Sequence, residues 1–207
     1  MAKRALDLLV GTIALIVCTP ALLLAMTLIR MVDGSPVLFR QVRPGYKGHP
    51  FILYKLRTMK VPRGEAGVLA TDATRLTSLG RVLRQLSIDE LPQFWNVIRG
   101  DISLVGPRPL LMQYLGRYTP EQARRHEVKP GITGWAQVNG RNAISWEDRF
   151  KLDTWYVDHH SLCLDVRILG RTFIQIFRRK DISQPGHATM PEFIGSVKSG
   201  DEKDHHG

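Results

Sequence analysis

One stretch of this chain is apolar without a break, and everything after it alternates in short bursts. Residues 8–29 form a run of 22 without a charge. As a straight helix that run would reach about 33 Å, against a hydrocarbon core of about 30 Å. A soluble core helix is seldom so long and so uniformly apolar, so the run predicts membrane insertion. Pro20 sits inside it, where it lacks an N–H and its ring presses on the carbonyl of Ile16. A kink is expected there, with Thr19 placed to bond the backbone that the kink exposes. Lys3 and Arg4 precede the run, and Arg30, Arg40, Arg43 and Lys47 follow it. By the positive-inside rule both flanks prefer the cytoplasm. A re-entrant helix broken at Thr19-Pro20 satisfies both, whereas a single span strands one. A cleaved signal peptide fits poorly, because the run exceeds an ordinary h-region and no small-x-small site closes it.

After Asp33-Gly34 the pattern shortens. Residues 37–42 and 51–56 are rich in β-branched and aromatic side chains and are separated by Arg43-Pro44-Gly45 and Gly48-His49-Pro50. They predict two strands or a hairpin, with Lys55 and Arg57 near its end. Residues 61–74 carry Gly, Pro and Ala without periodicity and predict a loop. Helical spacing returns from Ser78: Leu79, Val82, Leu83 and Leu86 fall at i, i+3, i+4 and i+7. Leu91, Phe94, Trp95 and Ile98 repeat it, closed by Gly100. Pro92 belongs in a first turn, so this second helix is expected to begin near Ser87 to Asp89, with Asp89 and Glu90 at its N-terminus.

Gly106-Pro107-Arg108-Pro109 reads as a rigid turn carrying an arginine, followed by a helical stretch over 114–127 and a Gly-rich segment over 129–135. Residues 146–180 combine Trp155, Tyr156, Leu162, Ile168, Phe173, Ile174 and Phe177 with Arg167, Arg171, Arg178, Arg179 and Lys180. That mixture suits helices in a membrane interface, or equally an ordinary amphipathic helix packed on a core.

A chain of 207 residues supports one core. Its formal net charge of +10 calls for a polyanionic partner, whether nucleic acid, anionic lipid or a phosphorylated substrate. Cys18 and Cys163 have neither disulfide-framework nor zinc-site spacing and read as structural. The polar tail, 196–207, reads as disordered.

Asp89-Glu90 is the candidate chemistry. Arg81 and Arg84 precede it by one to two turns, and a helix dipole would favour both ionised carboxylates and bound phosphate. An ionised aspartate can attack phosphorus and hold an acyl-phosphate, with Mg²⁺ and arginine forks supplying electrophilic help. Each feature also has an ordinary reading. Ser87 with Glu90 is a capping box, Arg108 between prolines is a surface turn, and Lys55 and Arg57 are edge-strand solubilisers.

In combination these residues resemble a known family. Lys3-Arg4-Ala5-Leu6-Asp7, Ser35-Pro36-Val37-Leu38-Phe39-Arg40-Gln41 and Arg43-Pro44-Gly45 carry the first part of the pattern. Lys55-Leu56-Arg57-Thr58-Met59 and Leu83-Arg84-Gln85-Leu86-Ser87-Ile88-Asp89-Glu90-Leu91-Pro92-Gln93 follow. Asn96-Val97-Ile98-Arg99-Gly100-Asp101, Ser103-Leu104-Val105-Gly106-Pro107-Arg108-Pro109 and Lys129-Pro130-Gly131-Ile132-Thr133-Gly134-Trp135 complete it. Long irregular motifs in this order resemble the bacterial sugar transferases, the small monotopic phosphoglycosyl transferases.

The resemblance implies a mostly helical α+β fold. A re-entrant membrane helix (1–32) would precede a small cytosolic α/β catalytic domain (33–195) with interfacial amphipathic helices. It implies transfer of a phosphosugar from a UDP-sugar to undecaprenyl phosphate with release of UMP, in a ping-pong sequence. Asp89 would be the nucleophile and Glu90 its partner; both would be ligands of Mg²⁺. Arg84, Arg108, Lys55 and Arg57 would bind substrate phosphates. The family's helix break is a Ser-Pro pair, for which this chain has Thr19-Pro20. The expected setting is the bacterial inner membrane, active site facing the cytoplasm, among anionic phospholipids, with a homodimer as a further partner. Ile182-Ser183-Gln184-Pro185-Gly186-His187-Ala188-Thr189-Met190-Pro191-Glu192-Phe193 is similar to relatives that use UDP-N,N′-diacetylbacillosamine. UDP-N-acetylgalactosamine, UDP-galactose and UDP-glucose are the other donors considered. A membrane-anchored nucleic-acid binder is disfavoured, because the basic residues are dispersed and no nucleic-acid motif occurs. A non-catalytic envelope scaffold would be expected to have lost Asp89 or Arg108, and both are present.

Overall fold

The computed structural model describes residues 1–60, 75–140, 144–178 and 192–195. The loop expected over 61–74, most of the donor-linked segment 182–193 and the tail 196–207 lie outside them. A long first helix rests on a mixed domain of short helices and two small two-stranded sheets.

The first helix, α1 (Ala2–Val32), is longer than the apolar run because Lys3, Arg4 and Asp7 extend it and dock. Lys3 Nζ donates to Asp165 at 2.6 Å and to the Val105 carbonyl at 3.1 Å. Arg4 donates to the Val97 and Ile98 carbonyls at 2.6 and 2.7 Å. Asp7, only 4% exposed, accepts from Ser103 Oγ and Leu104 N, both at 2.9 Å. A carboxylate so buried is tolerable only with such donors. The basic pair read as a flank set by membrane polarity is therefore also a tertiary anchor.

The other end of α1 is seated as firmly. Ala25 and Ile29 are buried against Leu56 and Leu83, and Arg57 donates to the Asp33 and Gly34 carbonyls at 2.6 and 2.9 Å. Between the two anchors Leu9, Ile13, Ile16, Val17, Leu23 and Leu24 are each more than half exposed. Their spacing puts them on one outward face. By length and composition α1 could cross a membrane.

Helical conformation runs through Thr19-Pro20 without interruption, so the pair does not end the helix, and any bend there is a proline kink within it. The Thr19 hydroxyl donates to the Leu15 carbonyl at 2.7 Å, the i−4 position, rather than to the Ile16 carbonyl that proline leaves without a donor.

Strands β1 (Leu38–Pro44) and β2 (Pro50–Leu56) form the expected hairpin, in register from Leu38 opposite Leu56 to Pro44 opposite Pro50. The period of two sets Gln41, Arg43 and Lys55 on one face. Helix α2 (Ser78–Gln85) begins at the predicted residue, with Thr77 as its N-cap. The following helix, α3 (Gln93–Arg99), starts later than expected, and Gly100 ends it in left-handed conformation at φ 86°. Asp89 and Glu90 instead lie in a separate 3-10 turn (Ile88–Glu90), entered through Ser87 at φ 56°. The Ser87 side chain caps nothing there, so the capping-box reading fails.

Beyond α3, β3 (Ser103–Val105) pairs in parallel with β4 (Gly131–Thr133). The expected helical stretch between them is fragmented: a 3-10 segment (Met112–Arg117), a single turn α4 (Pro120–Ala123) and another 3-10 turn (Arg124–His126). Helices α5 (Trp135–Asn139), α6 (Trp146–His159) and α7 (Leu162–Arg178) close the domain. Leu53, Val97, Ile102, Leu104, Val105, Val138, Tyr156 and Ile168 make the main core. A second, aromatic cluster gathers Tyr114, Phe150 and Phe193.

Candidate active site

Four pieces of chain converge on the carboxylate pair. Strand β2 brings Lys55, the last turn of α2 brings Arg84, the 3-10 turn carries Asp89 and Glu90, and the Pro107-Arg108-Pro109 turn brings Arg108. That last turn follows β3, and its approach depends on glycine. A Cβ on Gly106 would lie 2.2 Å from the Lys129 carbonyl oxygen, and one on Gly131 would lie 2.1 Å from Gly106 N. With no side chain at either position, Gly106 N donates to Thr133 O at 2.9 Å and Gly131 N to Pro107 O at 3.1 Å. Arg125 Nη2 then holds the Arg108 carbonyl at 2.8 Å, itself fixed by Asp153 at 2.7 Å in a pair only 2% exposed on each side.

The two adjacent carboxylates have unlike surroundings. Glu90 is clamped: Lys55 Nζ donates to Oε1 at 2.7 Å, Arg108 Nη2 donates to the same oxygen, and Arg108 Nη1 reaches Oε2 at 3.4 Å. Burial would push the Glu90 carboxyl up, but the charges and hydrogen bonds of Arg108 and Lys55 outweigh it and hold it well below the usual range. Asp89 is 6% exposed and, among the described residues, its carboxylate makes no hydrogen bond or ion pair. Burial first, and the Glu90 charge second, raise it from 3.8 to about 6, against the pull of Lys55, Arg84 and Arg108. Arg84 is aimed by its Nε, which donates to Thr58 Oγ1 at 3.0 Å. Neighbouring acids with separated pKa values can take separate roles. Here one is a strongly ionised clamp and the other an uncommitted base at the edge of ionisation.

Of the residues singled out in the sequence, Asp89, Glu90, Lys55, Arg84 and Arg108 come together. Arg57 does not join them, because its guanidinium is spent on the carbonyls that end α1. Thr19 and Pro20 stay in mid-helix, as described. Sequence reasoning missed Arg43, Arg125, Arg149 and Asp153. Arg43 reads in the sequence as part of a turn, and Arg125 and Asp153 are 28 residues apart with no local signal.

A magnesium ion takes one or two carboxylates and fills its shell with phosphate oxygens and water. The uncommitted Asp89 carboxylate fits such an ion. Glu90 would join it only by releasing one of the cations it already holds. Among the described residues no three His, Cys, Asp or Glu side chains are grouped so as to hold a metal ion by themselves.

The family model described as bacterial sugar transferase matches residues 1–179. An uncharacterized sugar transferase, EpsL, from Bacillus subtilis (strain 168) is 56% identical over 195 residues, covering 94% of this chain and 96% of its own. The UDP-glucose:undecaprenyl-phosphate glucose-1-phosphate transferase of Escherichia coli (strain K12) is 38% identical over 192 residues, covering 87% of this chain and 41% of its own. The UDP-N-acetylgalactosamine-undecaprenyl-phosphate N-acetylgalactosaminephosphotransferase of Aeromonas hydrophila is 41% identical over 178 residues, covering 82% and 42%. The chain thus spans nearly all of EpsL and about two fifths of the two longer relatives. A family match over most of the length, with the motif residues gathered around one carboxylate pair, shows that this chain belongs to the bacterial sugar transferases.

Proposed function

We propose that the protein transfers a sugar phosphate from a UDP-sugar to undecaprenyl phosphate, with Asp89 as the covalent nucleophile. The observation that carries this reading is the division of the carboxylate pair, a free Asp89 beside a Glu90 locked to two cations. In the first half-reaction Asp89 attacks the sugar-bearing phosphorus, and Arg84 and Arg108 hold its oxygens. UMP leaves. Undecaprenyl phosphate then attacks the aspartyl-phosphosugar and frees Asp89. Glu90 keeps Lys55 and Arg108 in place and does not compete as nucleophile, since a strongly stabilised carboxylate is a poor one. Magnesium, held by Asp89 and the substrate phosphates with Glu90 within reach, would neutralise charge on the diphosphate. The two longer relatives named above support the donor and acceptor classes. For the sugar itself, UDP-N,N′-diacetylbacillosamine is the first to test.

The test is UMP release from UDP-N,N′-diacetylbacillosamine, UDP-N-acetylgalactosamine, UDP-galactose and UDP-glucose, with Mg²⁺ and undecaprenyl phosphate. Release with one of these donors, dependent on the lipid for turnover beyond a single burst, is the expected result. No release from folded protein in nanodiscs would leave either a donor outside this panel or a non-catalytic scaffold.

We further propose that α1 is re-entrant in the bacterial inner membrane, with both ends and the active site on the cytoplasmic face. Its support is that Lys3, Arg4 and Asp7 at one end, and Ile29 and Asp33 at the other, seat on the same domain. A full span would lift one end about 30 Å from that surface. In a variant lacking Cys18 and Cys163, cysteines placed by Ala2→Cys and Ser35→Cys are expected to react with an impermeant thiol reagent only from the cytoplasmic side. Labelling of the two from opposite sides would sink the re-entrant assignment.

A further inference from the structure

The site holds more positive charge than its own carboxylates neutralise. Lys55, Arg84 and Arg108 surround Asp89 and Glu90. Around the Arg108 side stand Arg43 and Arg125, the latter paired with Asp153. Among the described residues, Lys55, Arg84, Arg108 and Arg43 are thus four cations beside the two carboxylates Asp89 and Glu90. Buried charge in excess on one side is costly unless a ligand of opposite sign completes it.

Arg43 is the cation best placed to take such a ligand. Its Nη2 donates to Gln41 Oε1 at 2.7 Å, while its Nε is buried without a hydrogen-bond partner. Among the described residues it makes no ion pair. Burial first, and the neighbouring Arg108 charge second, lower it to about 10, and only the phenols of Tyr114 and Tyr118 act the other way. The hairpin register puts Arg43 on the same face as Lys55, opposite Phe51 and Phe39 respectively, four residues apart along the strand pair. That spacing is about 13 Å of backbone. The hairpin therefore presents one cation to Glu90 and a second, with no ion pair among the described residues, farther along and near enough to feel the Arg108 charge.

We propose that Arg43 binds the leaving phosphate of the nucleotide, the one bonded to the nucleoside. The assignment rests on the transferase reading given above. As a bond forms between an Asp89 oxygen and the sugar-bearing phosphorus, the bond from that phosphorus to the bridging oxygen breaks. The bridging oxygen keeps the electron pair, so the nucleoside phosphate goes from one negative charge to two. Charge develops at this atom, and a preorganised guanidinium there stabilises the transition state more than the ground state. Gln41 is a positioning residue for Arg43.

The experiment is calorimetric titration of UMP into the full chain in nanodiscs with Mg²⁺, comparing wild type with Arg43→Gln, Arg43→Lys and Gln41→Glu. Arg43→Gln is expected to weaken UMP binding at least tenfold, and Arg43→Lys to recover part of it, since charge returns without the fork. Gln41→Glu leaves Arg43 in place but gives it a carboxylate partner. It is expected to weaken UMP binding too, and it keeps the test open should Arg43→Gln fail to fold. UMP affinity within twofold of wild type in the folded variants overturns the assignment of Arg43 alone. A folded wild type that neither binds UMP nor releases it from any UDP-sugar overturns the transferase reading, and this inference with it.

Discussion

Replacing Asp89 with asparagine is expected to lower UMP release by at least about 10³-fold while making the folded protein more stable at alkaline pH. The first effect follows from chemistry: an amide cannot form the acyl-phosphate, and Glu90 cannot substitute while Lys55 and Arg108 hold it. The second follows from linkage. Folding raises the Asp89 carboxyl from 3.8 to about 6, so the folded state binds this proton more tightly than the unfolded chain does. The favourable contribution is fully present below 3.8 and is lost as pH rises through about 6. At pH 8 wild type therefore carries an ionised, buried Asp89 at a cost of up to about 3 kcal/mol, which asparagine removes. Thermal unfolding of the two proteins should separate at pH 8 and coincide near pH 3.5. A wild type more stable than the variant at pH 8 would contradict the burial argument. Wild-type kcat/KM should also fall about tenfold per pH unit below about 6, as the nucleophile takes up its proton. An acid limb near 4 would mean that Asp89 is an ordinary exposed carboxylate.

Gly106→Ala is expected to abolish folding, or to cost more than about 4 kcal/mol, although it adds only one methyl group. The new Cβ would sit 2.2 Å from the Lys129 carbonyl oxygen and 3.0 Å from both Gly131 N and the Pro130 carbonyl carbon. These are main-chain atoms and cannot rotate away. They are also tied down, by Ser103 N to Pro130 O at 2.8 Å and by Gly131 N to Pro107 O at 3.1 Å. Opening the two strands to admit the methyl would move the Arg108 turn, so any surviving fold should also lose activity. Gly116→Ala is the control, because a Cβ there meets nothing within 4 Å. Melting temperature, read for both variants, should fall steeply in the first and stay within a few degrees in the second. A Gly106→Ala protein that melts and turns over like wild type would show that β3 and β4 are not packed this closely.

Much of this was legible beforehand, for identifiable reasons. A 22-residue apolar run has few soluble explanations. The hairpin was readable because its strands are short, β-branched and bounded by Gly-Pro turns. The start of α2 was readable from a clean i, i+3, i+4, i+7 face. Asp89, Glu90 and Arg108 were found through motif resemblance. Local reading alone gave each an equally good ordinary role, and for Glu90 that role was capping. Tertiary structure rejected capping: Ser87 turned left-handed, and Glu90 found two cations from β2 and from the turn after β3.

Other features had no local signature. Lys55 near the end of β2 and Arg57 just beyond it are two residues apart and look alike, yet one meets Glu90 and the other anchors the end of α1. The parallel pairing of β3 with β4 joins segments of three residues each, too short for any periodicity to register. Arg43 was hidden in a turn motif because its significance is negative. Among the described residues it is a cation without a carboxylate, which becomes visible only when its neighbours are known.

The sequence by itself thus determined the hairpin, the start of α2, the membrane-compatible helix and the family, because those depend on composition and spacing along the chain. Only the tertiary structure decided which carboxylate is free, which cations surround it and which end of α1 is held by what. Those properties arise from groups far apart in the chain that share one buried, low-dielectric space. There burial and neighbouring charge, rather than residue type, set what a side chain can do.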